Sequence, residues 1–566
     1  MFFLKIKRYQ IFFIHGVLLS NIWVTSISHA ASANEAINQV EQDKARKKAL
    51  TPDSTALNSR RFFHKDIEVI IPTETPCFTI NGISIENNNQ YFKTQFLQPI
   101  LRQVENHCLG KEGIHNLVDA LQNSLITQGF ITSRIYIPNQ DLRDRHLILQ
   151  LQPGIIGNIR LSAPGARRIT FANTLAFKHN DILNLRDLEQ TSANLQRIPG
   201  SSAKIHLLPG AREGESDIVL SRTQEKDWQL TGWLNDAGSR YSGRYNAGTA
   251  LYLYNPTTLN DMAYVSVGHD LLYHNGDKGN KNASLWYSIP WEYWWLELYA
   301  SRSQYHQPLK GGYFQWRYQT RYRYYSAELS RTLSHTANQT TSAGVKIFRG
   351  TSRASLEGTD LQVMRKENPG WKITFQHQHR FPNAGTLTTL GFQNRLPWLE
   401  HDSTPERRAG FISRQARIIT FNTQALINLS GSLAQFSYAP EFNLQISPDR
   451  LTMQNKFSIG NRWTVRGFDG ERNMTQNQGW YWRNTLNWNI PESQQQLYLG
   501  LDVGRIISNS DDGYSGRVLA GSTIGLRGEK WQTHYDIFAG APLIKPSTFI
   551  NDDLVLGFSL QWNLRR

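Results

Sequence analysis

RYNAGTALYLY (residues 244–254), MAYVSVG (262–268) and LVLGFSLQWN (554–563) decide the fold. In each, apolar side chains alternate with polar or small ones, the period of a strand with one apolar face. Residues 296–301, 314–329 and 373–381 repeat the pattern, and Gly, Asn, Asp and Pro separate the segments. No long helical period occurs between residues 228 and 566, and fifteen of the sixteen Trp lie there. A bilayer core holds no water to pair backbone N–H and C=O groups, so a sheet crosses it only by closing on itself. A lipid face and a wet lumen give period two, and Trp and Tyr collect at the two interfaces. A transmembrane β-barrel is therefore expected over 228–566. A large soluble β-sandwich or propeller with one wet face would show the same alternation.

The chain has 566 residues, room for more than one domain. Mean hydropathy is −0.48, which does not argue against a barrel, because barrel strands carry a weak hydropathy signal. Net charge is +15. The charge is spread, with no recognisable nucleic-acid module, so no nucleic acid is expected. It suits anionic lipid headgroups or a polar polypeptide in transit.

Residues 1–33 read as a secretory signal peptide. Lys5, Lys7 and Arg8 precede an apolar run over 11–23, and Ala30 and Ala33 offer cleavage sites. Residues 34–50 follow, acidic early and basic late as a helix dipole favours, with a thin apolar stripe. A solvated helix, a disordered arm or a helix in a polar cavity all fit. Residues 51–65 read as a linker.

Between residues 66 and 223 two small α/β units follow each other in the order β-α-α-β-β. The first has strands at 78–85, 131–137 and 146–152 and helices at 91–103 and 111–128. The second has strands at 155–161, 203–208 and 216–221 and helices near 171–177 and over 185–197. A tandem repeat points to an extended module rather than one catalytic pocket. Cys77 and Cys108 are the only cysteines, and in an exported chain they are expected to form a disulfide. No HExxH, GxSxG or phosphate-cradling glycine loop occurs, so no catalytic residue, metal site or cofactor is expected. A Ser/His hydrolase pair across barrel strands is the enzyme alternative.

The sharpest local signal is NRWTVRGFDG (461–470), where Arg466 sits between Val465 and Gly467 and is followed by Phe468. A second is LYLGLDVGRI (497–506), in which strand alternation turns Asp502 to the polar side with Gly500 and Gly504. A guanidinium and a carboxylate in a confined lumen can pair in bidentate geometry. A surface turn and an unrelated lumen acid is the other reading.

These stretches resemble the two-partner secretion outer-membrane transporters (TpsB type), relatives of the haemolysin and filamentous-haemagglutinin transporters in the Omp85 superfamily. The resemblance covers essentially the whole chain. VRGF at Val465, Arg466, Gly467 and Phe468 is similar to the family's loop-six motif, and Asp502 with Gly504 and Arg505 is similar to the barrel-wall motif that receives it. LNDAGSRYSGRYNAG, from Leu234, resembles the barrel-opening signature, with Asn235, Gly238, Gly243 and Arg244. Asn255–Pro256 and Asn260–Asp261 resemble the next strand pair's turn. Ser288 to Pro290 resembles the family's S-x-P turn, although Trp291 and Glu292 replace the usual small residues after it.

The resemblance implies a plug helix at 34–50, periplasmic POTRA domains at 66–153 and 154–223, and a barrel of about 16 antiparallel strands over 228–566. About 21 residues per strand and connection fits a tilted spanning strand. It implies secretion of a large partner exoprotein (adhesin, haemolysin or contact-dependent toxin), recognised through its N-terminal secretion domain. Other implied contacts are outer-membrane lipid and, during biogenesis, the barrel-assembly machinery, with the chain a monomer. An assembly or insertion factor and a passive porin are the competing functions. The C-terminal Trp562-Asn-Leu-Arg-Arg departs from the usual aromatic end and leaves the last strand's end open. Deleting residues 34–50 is expected to raise conductance in planar bilayers; unchanged conductance would show that the segment does not block the pore.

Overall fold

Sixteen antiparallel strands close into a barrel, from Trp228–Asn235 through Asn246–Tyr254, Met262–Asp270, Gly279–Trp291 and onward to Val555–Arg565. This computed structural model describes residues 68–565 apart from 88–91, 163–169, 272–276, 312–313, 337, 401–403 and 508–515. The expected signal peptide (1–33) and helix (34–50), with the linker at 51–65, lie outside the described residues. The first and last strands pair with each other, from Ser559 opposite Asn235 to Arg565 opposite Gln229. The ladder is thus continuous around the cylinder and leaves no open edge. The last strand runs on past Trp562 to Arg565.

Alternation sorts the side chains as expected. On Met262–Asp270, Met262, Tyr264, Ser266 and Asp270 are buried in the lumen, while Val265 and Val267 are 48% and 52% exposed. The inner residues pair with one another: Tyr264 stacks on Trp286, and the Ser266 and Ser284 hydroxyls lie 2.6 Å apart. The outer residues have no protein partner to cover them, which is what a lipid-facing belt requires. Of the eight exposed Trp among the described residues, Trp228, Trp291, Trp294, Trp488, Trp531 and Trp562 lie near one end of the barrel, Trp482 lies within a strand and Trp398 in the 396–417 connection. That explains much of the concentration of Trp: an indole ring suits the boundary between hydrocarbon and water. At this end the strand connections are short, such as 292–293 and 531–532. At the other end they include 396–417 and 447–477.

Three expectations inside the barrel need correction. Ser288 and Pro290 lie within Gly279–Trp291 and do not form a turn; the turn is at Glu292 and Tyr293, with Glu292 at φ 52°. Pro290 is tolerated because the strand is about to end. Residues 296–301 are only part of Trp294–Gly311, which pairs with the 22-residue strand Phe314–His335. Arg244 and Tyr245 precede their strand rather than begin it. Gly243 at φ 108° and a bond from the Gly238 N–H to the Arg244 carbonyl hold them in the loop.

The two N-terminal units share one topology. In the first, Gly82–Asn87 runs parallel to His146–Gln152, which is antiparallel to Arg134–Tyr136. In the second, Ile155–Leu161 runs parallel to Glu215–Gln224, which is antiparallel to Ser201–Pro209. Helix Lys111–Thr127 buries Leu117, Leu121 and Leu125 against Leu147, Leu149 and Leu151. The expected helix at 91–103 is reduced to a 3-10 turn, Gln95–Leu97, and one α-turn, Gln98–Leu101. Pro99 explains this: proline fits only a helix's first turn, so the helix cannot run back through it. The single strand expected at 78–85 breaks at Asn81, and Phe78–Ile80 pairs instead with His107–Leu109, a strand too short to show a period. Cys77 and Cys108 form a disulfide beside this pairing.

The second unit is seated on the barrel's short-turn end. Asn173 Nδ2 donates to the Leu259 and Pro290 carbonyls at 2.7 and 2.9 Å, and Asn194 Nδ2 donates to the Glu292 carbonyl at 2.7 Å. Arg197 reaches Ser288 Oγ at 2.6 Å, and Arg222 reaches Asn260 Oδ1 at 2.8 Å. Burial pushes both guanidinium groups down to about 10, still charged at neutral pH. The two units are joined to each other as well, through Leu185 N to the Gly129 carbonyl and Gly154 N to Ser133 Oγ. Replacing both cysteines by serine is expected to cost the first unit about 2–4 kcal/mol, since the disulfide closes a loop of intermediate length. Amide exchange at residues 78–80 and 107–109 should accelerate; unchanged exchange would refute this.

Candidate functional site

The 31-residue connection 447–477, between Phe436–Ile446 and Gln478–Asn489, folds back against the inner wall of the barrel. Its stem is a short hairpin, Phe457–Ile459 with Met474–Gln476. Its tip is 461–470. Asn461 Oδ1 accepts from the N–H groups of Trp463 and Thr464 at 3.0 and 3.1 Å, closing a tight turn. That turn presents Val465 and Arg466 to the wall. Val465 and Phe468 join a buried cluster with Ile459, Met474, Ile506, Leu519 and Phe549, and Phe468 meets Phe549 edge-on at 5.8 Å.

Arg466 and Asp502 come together as a bidentate pair: Nε to Oδ2 and Nη2 to Oδ1, both 2.7 Å. The Arg466 backbone N–H also donates to Oδ2 at 3.0 Å, and the Asn484 N–H donates to Oδ1 at 3.2 Å. The same Nη2 also lies 2.9 Å from Thr485 Oγ1 and 3.1 Å from the Asn484 carbonyl. Both side chains are buried, with 9% and 0% exposed. A buried ion pair stands only when its hydrogen-bonding groups find partners, and here both Asp502 oxygens and the Arg466 Nε and Nη2 have them.

Glycines let the tip approach this closely. Gly467 has φ 93°, and a Cβ there would stand 2.4 Å from the Ala541 carbonyl oxygen. A Cβ on Gly521, in the facing strand Val518–Lys530, would stand 1.9 Å from the Arg466 carbonyl oxygen. Gly504 leaves room for Val465 in the same way.

A second attachment was not foreseen in the residue-level reading. Asp236, buried in the loop after the first strand, accepts from Arg462 Nη2 at 2.7 Å, Arg244 Nη2 at 3.3 Å and the Phe558 N–H at 3.0 Å. Arg462 also lies 5.2 Å from the Phe538 ring centre. Glu471 accepts from Ser239 Oγ at 2.9 Å and the Arg240 N–H at 2.8 Å. Burial pushes the Glu471 carboxyl up, and these two bonds oppose the shift. Asp469 accepts from the Asp552 N–H, and its own N–H donates to Asn551. The tip therefore grips strands 478–544 on one side and the loops flanking the first and last strands on the other. Of the barrel-opening residues, Asn235 receives the Ala237 N–H, while Gly238 and Gly243 shape the loop. Only Arg244 meets the carboxylate hub. The signal for the hub was present in DAG, whose acid lies next to the flagged Asn235.

Arg466→Ala would leave Asp502 buried without its partner, a change that costs roughly 3–5 kcal/mol at such sites. The expected outcome is an inserted barrel whose 461–470 amides exchange faster and which secretes less. Arg466→Lys should not restore it, because an ammonium cannot make the two-pronged contact. Unchanged exchange and secretion would refute the anchor.

The haemolysin secretion/activation protein family ShlB/FhaC/HecB matches residues 214–528, an ShlB-type POTRA domain matches 78–154 and a further POTRA domain matches 155–209. The outer membrane transporter CdiB-2 of Burkholderia pseudomallei is 28% identical over 557 residues, covering 95% of both chains. The haemolysin transporter protein ShlB of Serratia marcescens is 24% identical and covers 81% of this chain and 80% of its own. The fold is shared with CdiB from Escherichia coli, at TM-score 0.81 and 24% identity, covering 94% of this chain and 99% of that one. With more than half its length matched by the family, and with loop six seated on the wall, this chain belongs to the haemolysin secretion/activation proteins of the ShlB/FhaC/HecB type.

Proposed function

We propose that this chain is an outer-membrane transporter that recognises a large partner exoprotein in the periplasm and secretes it through its barrel. The observation that carries the reading is the combination in one chain of two POTRA units, the second seated on the barrel's short-turn end, and a lumen-anchored loop six. That end is the periplasmic one, since the units lie there, and the long connections face outside. The relatives named as outer membrane and haemolysin transporters favour secretion over membrane insertion.

Recognition is assigned to the small units. Arg134–Tyr136 and Ser201–Pro209 are edge strands of their sheets, with Tyr136 and Leu208 exposed. An extended segment of the exoprotein's N-terminal secretion domain would add to such an edge through backbone hydrogen bonds. The chain then threads the lumen while loop six, held by Arg466 and Asp502, keeps to the wall or shifts. Outside, folding of the exoprotein makes return unfavourable and supplies direction without a nucleotide. Adhesin, haemolysin and contact-dependent toxin all suit this route. Segment 34–50 is assigned to the resting pore, and the transporter is taken to work as a monomer inserted by the barrel-assembly machinery.

Co-expression with a long repeat-rich exoprotein encoded beside this gene tests the reading. Its appearance outside the cell is expected, and deletion of its N-terminal secretion domain should abolish it. Export that proceeds equally without this transporter would overturn the proposal.

A further inference from the structure

The outer face of the barrel changes character along four neighbouring strands: Gly279–Trp291, Trp294–Gly311, Phe314–His335 and Gln339–Leu356. Cross-strand register places their outward residues in rows. The row nearest the POTRA end is Ile289, Leu296, Leu329 and Val345. Next comes Tyr287, Leu298, Ala327 and Ile347, then Leu285, Ala300, Tyr325 and Arg349. The following row is Ala283, Arg302, Arg323 and Thr351, and the outermost of the five is Lys281, Gln304, Arg321 and Arg353. Leu285, Leu298, Tyr325, Leu329 and Ile347 are between 43% and 53% exposed, so this alternation faces outward. The intervening Tyr318, Thr320 and Tyr322 are buried in the lumen.

Apolar rows thus give way within about two residue pairs to a cationic band, on the side of the barrel away from the POTRA units. Arg302 stands directly opposite Arg323, and Arg321 directly opposite Arg353. Like charges in directly opposed positions destabilise a sheet unless something between them is negative. Lys281, Arg302, Arg321, Arg323 and Arg353 are all exposed, and among the described residues none is ion-paired to a carboxylate. The contrast with nearby cations is sharp. Arg349, one row lower, is bound to Glu367 at 3.2 Å, and Arg331, toward the POTRA end of Phe314–His335, lies over Trp294 at 5.2 Å. Strand spacing puts the four arginines within a patch of about 10 Å by 7 Å.

We propose that this band binds the phosphate groups of an anionic lipid in the outer leaflet, with the lipid's acyl chains lying on the apolar rows beneath. Three features select that occupant. The cations begin where the hydrocarbon-facing rows end, at headgroup depth, with Tyr325 at the boundary. Guanidinium groups match phosphate oxygens in pairs. The opposed arginines need an anion that bridges strands, and a headgroup with two phosphates does so where a single small ion does not. The proposal rests on the outer-membrane placement given above but not on secretion: failure of exoprotein export leaves it standing, and its own failure leaves export standing.

The test uses the full-length protein in detergent and native mass spectrometry. The probes are lipid A carrying two phosphates, the same lipid with both phosphates removed, and inorganic phosphate. The expected result is retention of the bisphosphorylated lipid at least tenfold more tightly than the dephosphorylated form, with little displacement by millimolar inorganic phosphate. Combined Arg302→Gln, Arg321→Gln, Arg323→Gln and Arg353→Gln should abolish that preference, whereas Arg331→Gln should keep it. Should the quadruple variant fail to form a heat-modifiable barrel, Arg321→Gln with Arg353→Gln is expected to weaken binding at least threefold. Equal retention of the two lipids, displacement by inorganic phosphate alone, or a preference that survives loss of the arginines would overturn the proposal.

Discussion

Everything in this molecule depends on a closed backbone ladder. In hydrocarbon an unpaired amide has no water to turn to, so the strand Val555–Arg565 must find Trp228–Asn235. With every pair antiparallel, closure takes an even strand number, while the lipid face and wet lumen set the period-two sequence and the hydrocarbon–water boundary the crowding of Trp near the short-turn rim. It also creates a weakness. The pairing of the first and last strands joins segments more than three hundred residues apart, and seven register pairs hold it.

The loop-six contacts lie beside that pairing. Asp236 extends it, donating its N–H to the Phe558 carbonyl and accepting from the Phe558 N–H, while its carboxylate also holds Arg462 of loop six. The loop meanwhile is bound to strand Gln495–Ile507 through Asp502. Charged pairs on a protein surface contribute little, but these are enclosed and share their hydrogen bonds with backbone amides. The lumen is thus braced from within by a segment that enters from outside.

Much of this was legible in the residues. Alternation and the scarcity of helical period marked the barrel, and the same alternation put Asp502, Gly500 and Gly504 on one face. The tandem order of the small units emerged because their longer strands and helices carry clear periods. What escaped had a physical reason. A three-residue strand such as His107–Leu109 has no period to detect, and Pro99 cut a helix that composition alone favoured. Asp236 and Arg462 are 226 positions apart, and no local pattern announces a contact made only once the cylinder has closed. The opposed arginines of Trp294–Gly311, Phe314–His335 and Gln339–Leu356 were hidden likewise, since register between strands is not written in either strand alone.

The seat of the second POTRA unit is off-centre. It holds the 255–261 turn, the end of Gly279–Trp291 and the turn at 292–293, and so sits on the sector that begins at the first strand. Loop six is bolted to the wall on the other side of the closure and reaches across it only to the loop after the first strand, among the contacts described. A lever acting on the periplasmic arm therefore loads one flank of the cylinder while the internal brace stiffens its opposite flank. Shear between the two falls on the line where the chain's beginning and end of barrel meet.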